Sequence, residues 1–336
     1  MEDLERILQH IDQNLYEEYN SLLKDLTSDI YPCINEALAV KNGIYTNHDK
    51  KHFDLVIKQA GYLLRADEIL KLAKEKAFDL LSNEEKRVFF FQNSLELFIL
   101  LCSIRVHDIG LIINREDHST NILYTLNILK IMKIKIASLR LISEIASAHT
   151  GNSLTGTKDT IKDLEKITQI DSKYIRPQML AAIVRFSDEL EEGEHRTNLS
   201  QLKFENIQKE NIVFHKYSLS MSNLSISHED STLNLTFEIS ENENEIYIKP
   251  SGDKVTLLEE IYNRLQKLEV ERKYFQRFMC NSFNIEKINV KIHLVDEEYF
   301  NILKTISIST TDSYPKIEAF GLEDLYEEIE KNKGDA

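Results

Sequence analysis

The chain has 336 residues, 42% of them hydrophobic and 29% charged, with nine Gly, four Pro and a formal net charge of −15. That size and balance suit one large or two medium globular domains with a real core, and the scarcity of Gly and Pro leans toward helix. The acidic balance argues against broad capture of DNA or RNA, which needs a cationic surface, but leaves room for a small anionic substrate in a local basic pocket.

The first ten residues, MEDLERILQH, carry no basic block followed by an apolar one, so a secretory signal is not expected. Leu4, Ile7, Leu8, Ile11 and Leu15 recur at helical spacing and predict an opening amphipathic helix. The segment KNGIYTNHDKKH then reads as a loop that enters a helix at about Lys50. Helical patterning dominates from Phe53 to Leu190, broken by polar stretches at 82–85, 114–119 and 150–159. Its most apolar part, LELFILLCSIRV, predicts a buried helix too short to span a bilayer. The three cysteines, Cys33, Cys102 and Cys280, are isolated; without a CxxC spacing they suggest neither disulfides nor a thiolate zinc site, and a cytoplasmic protein is expected.

After Leu199 the character changes. The stretch from Asn211 to Pro250 alternates apolar and polar residues, with turn chemistry at 228–231 and 241–244, and predicts three or four antiparallel strands, His215 to Tyr217 among them. A helix over 256–278, strands over 287–295 and 302–309 and a short acidic helix over 322–331 complete the expectation. The chain thus divides into a helical part, 1–200, and a smaller α+β part, 201–336, with an antiparallel sheet.

The helical part holds an ordered set of metal-capable residues: His52, His107, Asp108, His118, His149 and Asp188. Imidazole nitrogen and carboxylate oxygen together suit divalent transition ions. A single histidine on an apolar helix is more often a satisfied core residue, and a single Asp such as Asp188 can be a hydrogen-bonded structural group. The spaced set is what carries weight. His48 lies four residues before His52, so a helix that included both would place them on one face; with the helix starting near Lys50, His52 is the ligand and His48 faces substrate or solvent.

These residues, in this order, resemble the HD-domain superfamily of metal-dependent phosphohydrolases. The resemblance lies in His52 of HDKKHFDLVIKQA, the His107-Asp108 pair of FILLCSIRVHDIGL and Asp188 of AAIVRFSDEL. His118 in REDHSTNIL and His149 in SAHTGN resemble the extra histidines of its two-metal branches. The resemblance implies a mainly α HD helical bundle and two divalent ions, among which Fe, Mn, Co, Ni and Zn are not distinguished. One ion would be held by His52, His107, Asp108 and Asp188; Asp108 would bridge to a second, completed by His118 and His149. AHTG and FSDELEEGEHR are similar to HD hydrolases of diadenosine tetraphosphate, whereas HKYSLS, the strand run and EVERKYFQRF are similar to larger bacterial HD proteins with an appended α+β region.

One position departs from the pattern. Many superfamily members carry a cation directly after HDIG, and here Leu111 stands there. Arg115 is the nearest replacement as a catalytic cation, with Asp108 and Asp117 as catalytic carboxylates; Glu116 is an alternative to Asp117. His48, Lys51, Arg185 and Arg196 are the candidate substrate contacts, and Arg105 is a further cation. The expected activity is hydrolysis of a phosphoester or phosphoanhydride bond in a nucleotide or nucleotide second messenger. Three other functions stay open: a nuclease for single-stranded nucleic acid, a nucleotide-sensing module without turnover, and an iron pair for oxygen chemistry. The nuclease would need a basic groove with stacking aromatics, and no concentrated basic stretch is present. The expected partner is a small anionic phosphate compound rather than a membrane, and assembly into a homo-oligomer stays open.

Overall fold

Asp12 separates the first two helices of the chain. Its backbone is extended, its N–H caps α1 (Asp3–Ile11) and its carboxylate accepts from Leu15 N, which starts α2 (Gln13–Asp25). The computed structural model describes residues 1–42, 50–75, 91–114, 117–128, 134–153, 155–197, 208–243, 245–279, 283–296, 301–310 and 326. A π-helical turn, Leu26–Ile30, leads into α3 (Tyr31–Asn42), followed by α4 (Lys50–Leu63), α5 (Ala66–Glu75) and α6 (Ser94–Val106). Beyond them come α7 (Ile122–Ile128), α8 (Ile136–Ser147) and α9 (Pro177–Glu189). Pro177 opens α9, where its missing N–H costs nothing.

Helix α6 is the axis of this unit. Asn93 caps its start, and every side chain from Leu95 to Val106 is buried, against α1, α2, α4, α8 and α9. Burial of each large apolar side chain is worth about 1.5–3 kcal/mol, which is why a helix hydrophobic all round ends up central. Ion pairs of two arginines flank it. Arg176 grips Glu96 with Nε and Nη2 at 2.8 and 2.7 Å. Arg105 reaches Glu5 at 2.7 Å and Asp54 at 2.6 Å, so it belongs to the core and not to a substrate pocket, contrary to its reading as an available cation.

Where unbroken helical patterning was expected, a short antiparallel hairpin intervenes, β1 (Thr168–Ile170) with β2 (Lys173–Ile175). Asp171 and Ser172 form its turn, both at positive φ (49° and 64°), the requirement of a two-residue hairpin turn.

The chain divides into two compact units between Glu191 and Glu192. The second contains α10 (Ile212–Ser220), β3 (Met221–Ser227), β4 (Thr232–Ser240), the small pair β5 (Tyr247–Ile248) and β6 (Lys254–Val255), α11 (Leu257–Gln276), β7 (Lys287–Val295) and β8 (Ile302–Thr310). Thr256 and Glu259 cap α11 reciprocally. The main sheet has the order β3-β4-β7-β8. Its outer pairings are antiparallel, while β4 and β7 run parallel with Leu233 beside Ile288 and Leu235 beside Val290. Parallel pairing requires a crossover, and α11 supplies it.

The segment IVFHKYSLS, expected as a strand, is the helix α10. His215 and Tyr217 are buried in it and do not line an edge strand. The acidic helix expected over 322–331 lies outside the described residues except for position 326. Among the described residues no helix is long and apolar enough to cross a membrane.

Candidate metal centre

Four helix ends and two 3-10 turns bring the six His and Asp residues together. His52 lies in the first turn of α4, which begins at Lys50, so His52 faces inward while Lys51 is exposed. His107 ends α6, and Asp108 follows it into a 3-10 turn, Ile109–Ile112, that buries Ile109, Gly110 and Leu111. Leu111 therefore fills core, and no cation can occupy its place without being buried. His118 opens a second 3-10 turn, His118–Asn121, pressed against the first. Gly110 permits that approach: a Cβ there would fall 1.9 Å from the His118 carbonyl oxygen. His149 lies just past α8, and Asp188 in the last turn of α9.

The donor atoms form two halves that share Asp108. Asp108 Oδ2 lies 3.7 Å from His52 Nε2 and 3.3 Å from His107 Nε2. Asp188 Oδ1 lies 3.5 Å from each of these nitrogens. The other oxygen, Asp108 Oδ1, lies 3.2 Å from His118 Nε2 and 3.4 Å from His149 Nε2. Bonds of about 2.1 Å from a central ion to such ligands would space neighbouring donors at roughly 3.0–3.4 Å. The observed separations fall at and just above that spacing. The combinations His52–His107–Asp108, Asp108–His118–His149 and His107–His149–Asp188 each converge closely enough to hold a metal ion.

The tautomers fit the same purpose. His107 Nδ1 donates to Ile104 O at 2.8 Å and His149 Nδ1 to Ala146 O at 2.6 Å. A carbonyl only accepts, so both Nδ1 atoms carry the proton, and a neutral ring then presents its Nε2 lone pair to the centre. His52 Nδ1 lies 2.8 Å from Glu191 Oε2, a carboxylate with 0% exposure that fixes the third ring in the same sense. Facing pairs of Nε2 atoms, His52–His107 at 3.4 Å and His118–His149 at 3.2 Å, can share a proton or a metal cation. The donor set thus fits divalent metal ions.

The electrostatics agree. Burial alone would raise the Asp108 carboxyl, but the His107 imidazole and hydrogen bonds from His107, His118 and His149 hold it well below the usual carboxylate range. Asp188 is lowered by His107 against its own burial. Burial pushes His107 down, yet Asp108 and Asp188 together raise it well above an ordinary imidazole, so a ligating ion must displace a proton from its Nε2, whereas burial leaves His149 lowered. Both carboxylates are therefore anionic, as ligation requires.

Two of the six members reach solvent. His52, His107, Asp108 and His149 are buried, whereas the side chains of Asp188 and His118 are 28% and 16% exposed. A family model described as HD-CE matches residues 134–267. This match and the His/Asp cluster are consistent with an HD-type metal-binding domain. The match takes in His149 and Asp188 and ends within α11, while the other four members of the His/Asp cluster lie ahead of it. No curated protein matches the chain.

The remaining expected residues scatter. Asp117 is exposed at the start of the turn that carries His118. Arg185 is half-buried on α9 and donates to Lys158 O and Thr160 Oγ1. Arg196 belongs to the second unit, 3.7 Å from Glu192. His48, Arg115 and Glu116 lie outside the described residues. Glu191 is the residue that the sequence reading missed. Its signal is its place three residues after Asp188, hidden inside the acidic run DELEEGE.

Proposed function

We propose that the HD domain is a metal-dependent phosphohydrolase that binds two divalent ions and cleaves a phosphoester or phosphoanhydride bond of a nucleotide or nucleotide second messenger. The observation that carries this reading is the division of Asp108: one oxygen faces His52 and His107, the other His118 and His149. A carboxylate so placed suits a bridge between two ions. When bound, such a pair lowers the pKa of a shared water and offsets charge on phosphorus-bound oxygens during in-line displacement.

The chain's own residues supply the rest of the proposal. His52, His107, Asp108 and Asp188 hold one half and His118, His149 and Asp108 the other. Asp117, beside His118, accepts the proton as the water oxygen bonds to phosphorus and the leaving oxygen departs. Lys51 and Arg185 of the helical unit, together with His48 and Arg115, are the proposed contacts to substrate. The acidic net charge favours a small substrate over a polynucleotide.

Metal analysis of the reconstituted chain, followed by a screen of nucleotides and generic phosphodiesters, tests the reading. Metal uptake with turnover that Asp108→Ala abolishes while the fold stays intact is the expected result. Failure to take up any metal would overturn it, and metal uptake without turnover of any phosphate compound would turn the reading to a nucleotide sensor.

A further inference from the structure

Leu111 is buried and Arg105 is paired in the core, so the phosphate-facing charge of this centre has another source. We propose that Lys158 and Arg185 form an anion-binding wall at the mouth of the metal centre, and that this wall selects a terminal, dianionic phosphate over a monoanionic diester. The inference rests on the phosphohydrolase reading and narrows its substrate class.

The mouth is marked by its two accessible ligands, Asp188 and His118. Arg185 precedes Asp188 by three residues on α9, so the two share a helix face, and both are half-buried there. The Arg185 guanidinium donates through Nη1 to Lys158 O at 3.3 Å and to Thr160 Oγ1 at 3.2 Å. Thr160 in turn donates to Ala148 O at 2.6 Å, the carbonyl next to His149. Arg185 is thereby tied to the loop that carries one ligand from the helix that carries another.

Lys158, whose own carbonyl accepts from Arg185, extends the same wall. Its exposed ammonium donates to Gly151 O at 3.2 Å, two residues past His149. Gly151 has φ +85° and lies so close to Ser119 that a Cβ would sit 2.9 Å from its hydroxyl. Ser119 follows His118 directly. Lys158 is thus anchored where the His149 loop meets the His118 turn. The loop is braced internally by Ser153 Oγ with Thr155 and Thr157 at 3.0 and 2.9 Å and by Lys162 Nζ, which donates to Thr155 at 3.1 Å. Its cations are held in place and do not sweep through solvent.

Charge gives the substrate class. The attraction of each fixed cation for a bound anion scales with the charge of that anion. A terminal phosphate carries up to about two negative charges at neutral pH, whereas a diester carries one, so Lys158 and Arg185 favour the terminal phosphate.

The test uses the metal-loaded 336-residue chain with inorganic phosphate, p-nitrophenyl phosphate and bis(p-nitrophenyl) phosphate as probes. Lys158→Gln and Arg185→Gln are compared with Lys135→Gln, which removes the same charge from an exposed pair with Asp171. Each of the first two should weaken phosphate binding in calorimetry about tenfold, the loss of one charge-assisted hydrogen bond. KM for the monoester should rise similarly, and by more than KM for the diester. Lys158 is exposed, so its variant reports even where Arg185→Gln perturbs the fold. Normal metal content with phosphate binding equal to that of Lys135→Gln, or wild-type preference for the diester, would overturn the inference alone. A chain that takes up no metal would overturn the hydrolase reading and, with it, the substrate class inferred here.

Discussion

His52 Nδ1 and Glu191 Oε2 are 2.8 Å apart, and both side chains are sealed from solvent. This contact joins α4 to the end of α9, and it turns one ring of the metal centre so that its Nε2 points inward. Carboxylates behind ligating imidazoles raise ligand basicity, and their loss commonly costs about 10–100-fold in metal affinity. Glu191→Gln keeps an acceptor for the Nδ1–H but removes the charge, so metal affinity should fall toward the lower end of that range. Glu191→Ala also strands the Nδ1–H, at a further cost of about 1–3 kcal/mol in stability. Equilibrium dialysis against Mn²⁺ or Zn²⁺, paired with thermal melts, separates the two effects. Equal affinities for wild type and both variants would show that the contact is only structural.

The division of Asp108 predicts an asymmetry among ligand variants. His118→Ala disrupts only the half completed by His149, so the metal content should fall from about two ions per chain to about one. Asp108→Asn touches both halves and should lower metal content further than either His118→Ala or Asp188→Asn. Inductively coupled plasma mass spectrometry after gel filtration checks the order. Identical loss in all three variants would argue for a single shared ion.

Gly110 sets how closely the two 3-10 turns approach. A Cβ there would lie 1.9 Å from the His118 carbonyl oxygen, so the His118 turn must move. Gly110→Ala should cost about 1–3 kcal/mol, the usual penalty for overpacking, and should lose metal from the His118–His149 half first. A melt within a degree of wild type with full metal content would show that the turn shifts freely.

How far the centre was legible follows from what each residue must do. The ligands stood out because His and Asp at the ends of strongly apolar helices are costly unless they hold something, and between its paired Glu96 and Arg105 α6 is almost wholly apolar up to His107. Glu191 was hidden because burial decides its meaning, and a Glu in an acidic run reads as solvated until the chain turns it inward. Segment 212–220 misled for a different reason. It is rich in β-branched and aromatic residues, and as α10 it is buried or half-buried throughout, so no exposed stripe reveals the helical period. The parallel pairing of β4 with β7 depended on where α11 delivers the chain, which alternation within a strand does not encode.

Stability should depend on pH through the cluster that ties α1 and α2 to α6. Arg105 is nearly inaccessible; its Nη2 donates to Glu5 Oε1 at 2.7 Å and its Nε to the Tyr19 hydroxyl at 2.7 Å, while that hydroxyl donates to Glu5. Burial would raise Glu5, but Arg105 and the hydrogen bonds from Tyr19 and Arg105 hold it below its ordinary value. A carboxyl lowered on folding stabilises the fold above its unfolded pKa of about 4.3, and that contribution disappears as pH falls through the lower folded value. Tyr19 is shifted the other way, upward by burial. Its contribution is complete below about pH 10 and is lost as pH rises above it, because the unfolded chain then ionises first. Removing the cation, as in Arg105→Met, leaves Glu5 buried without its partner and should cost about 3–5 kcal/mol at pH 7. The double variant Glu5→Gln/Arg105→Met should recover much of that loss and flatten the acid limb of the stability profile. Urea titrations from pH 3 to pH 10.5 would show this; an acid limb unchanged in the double variant would place the acid sensitivity elsewhere in the fold.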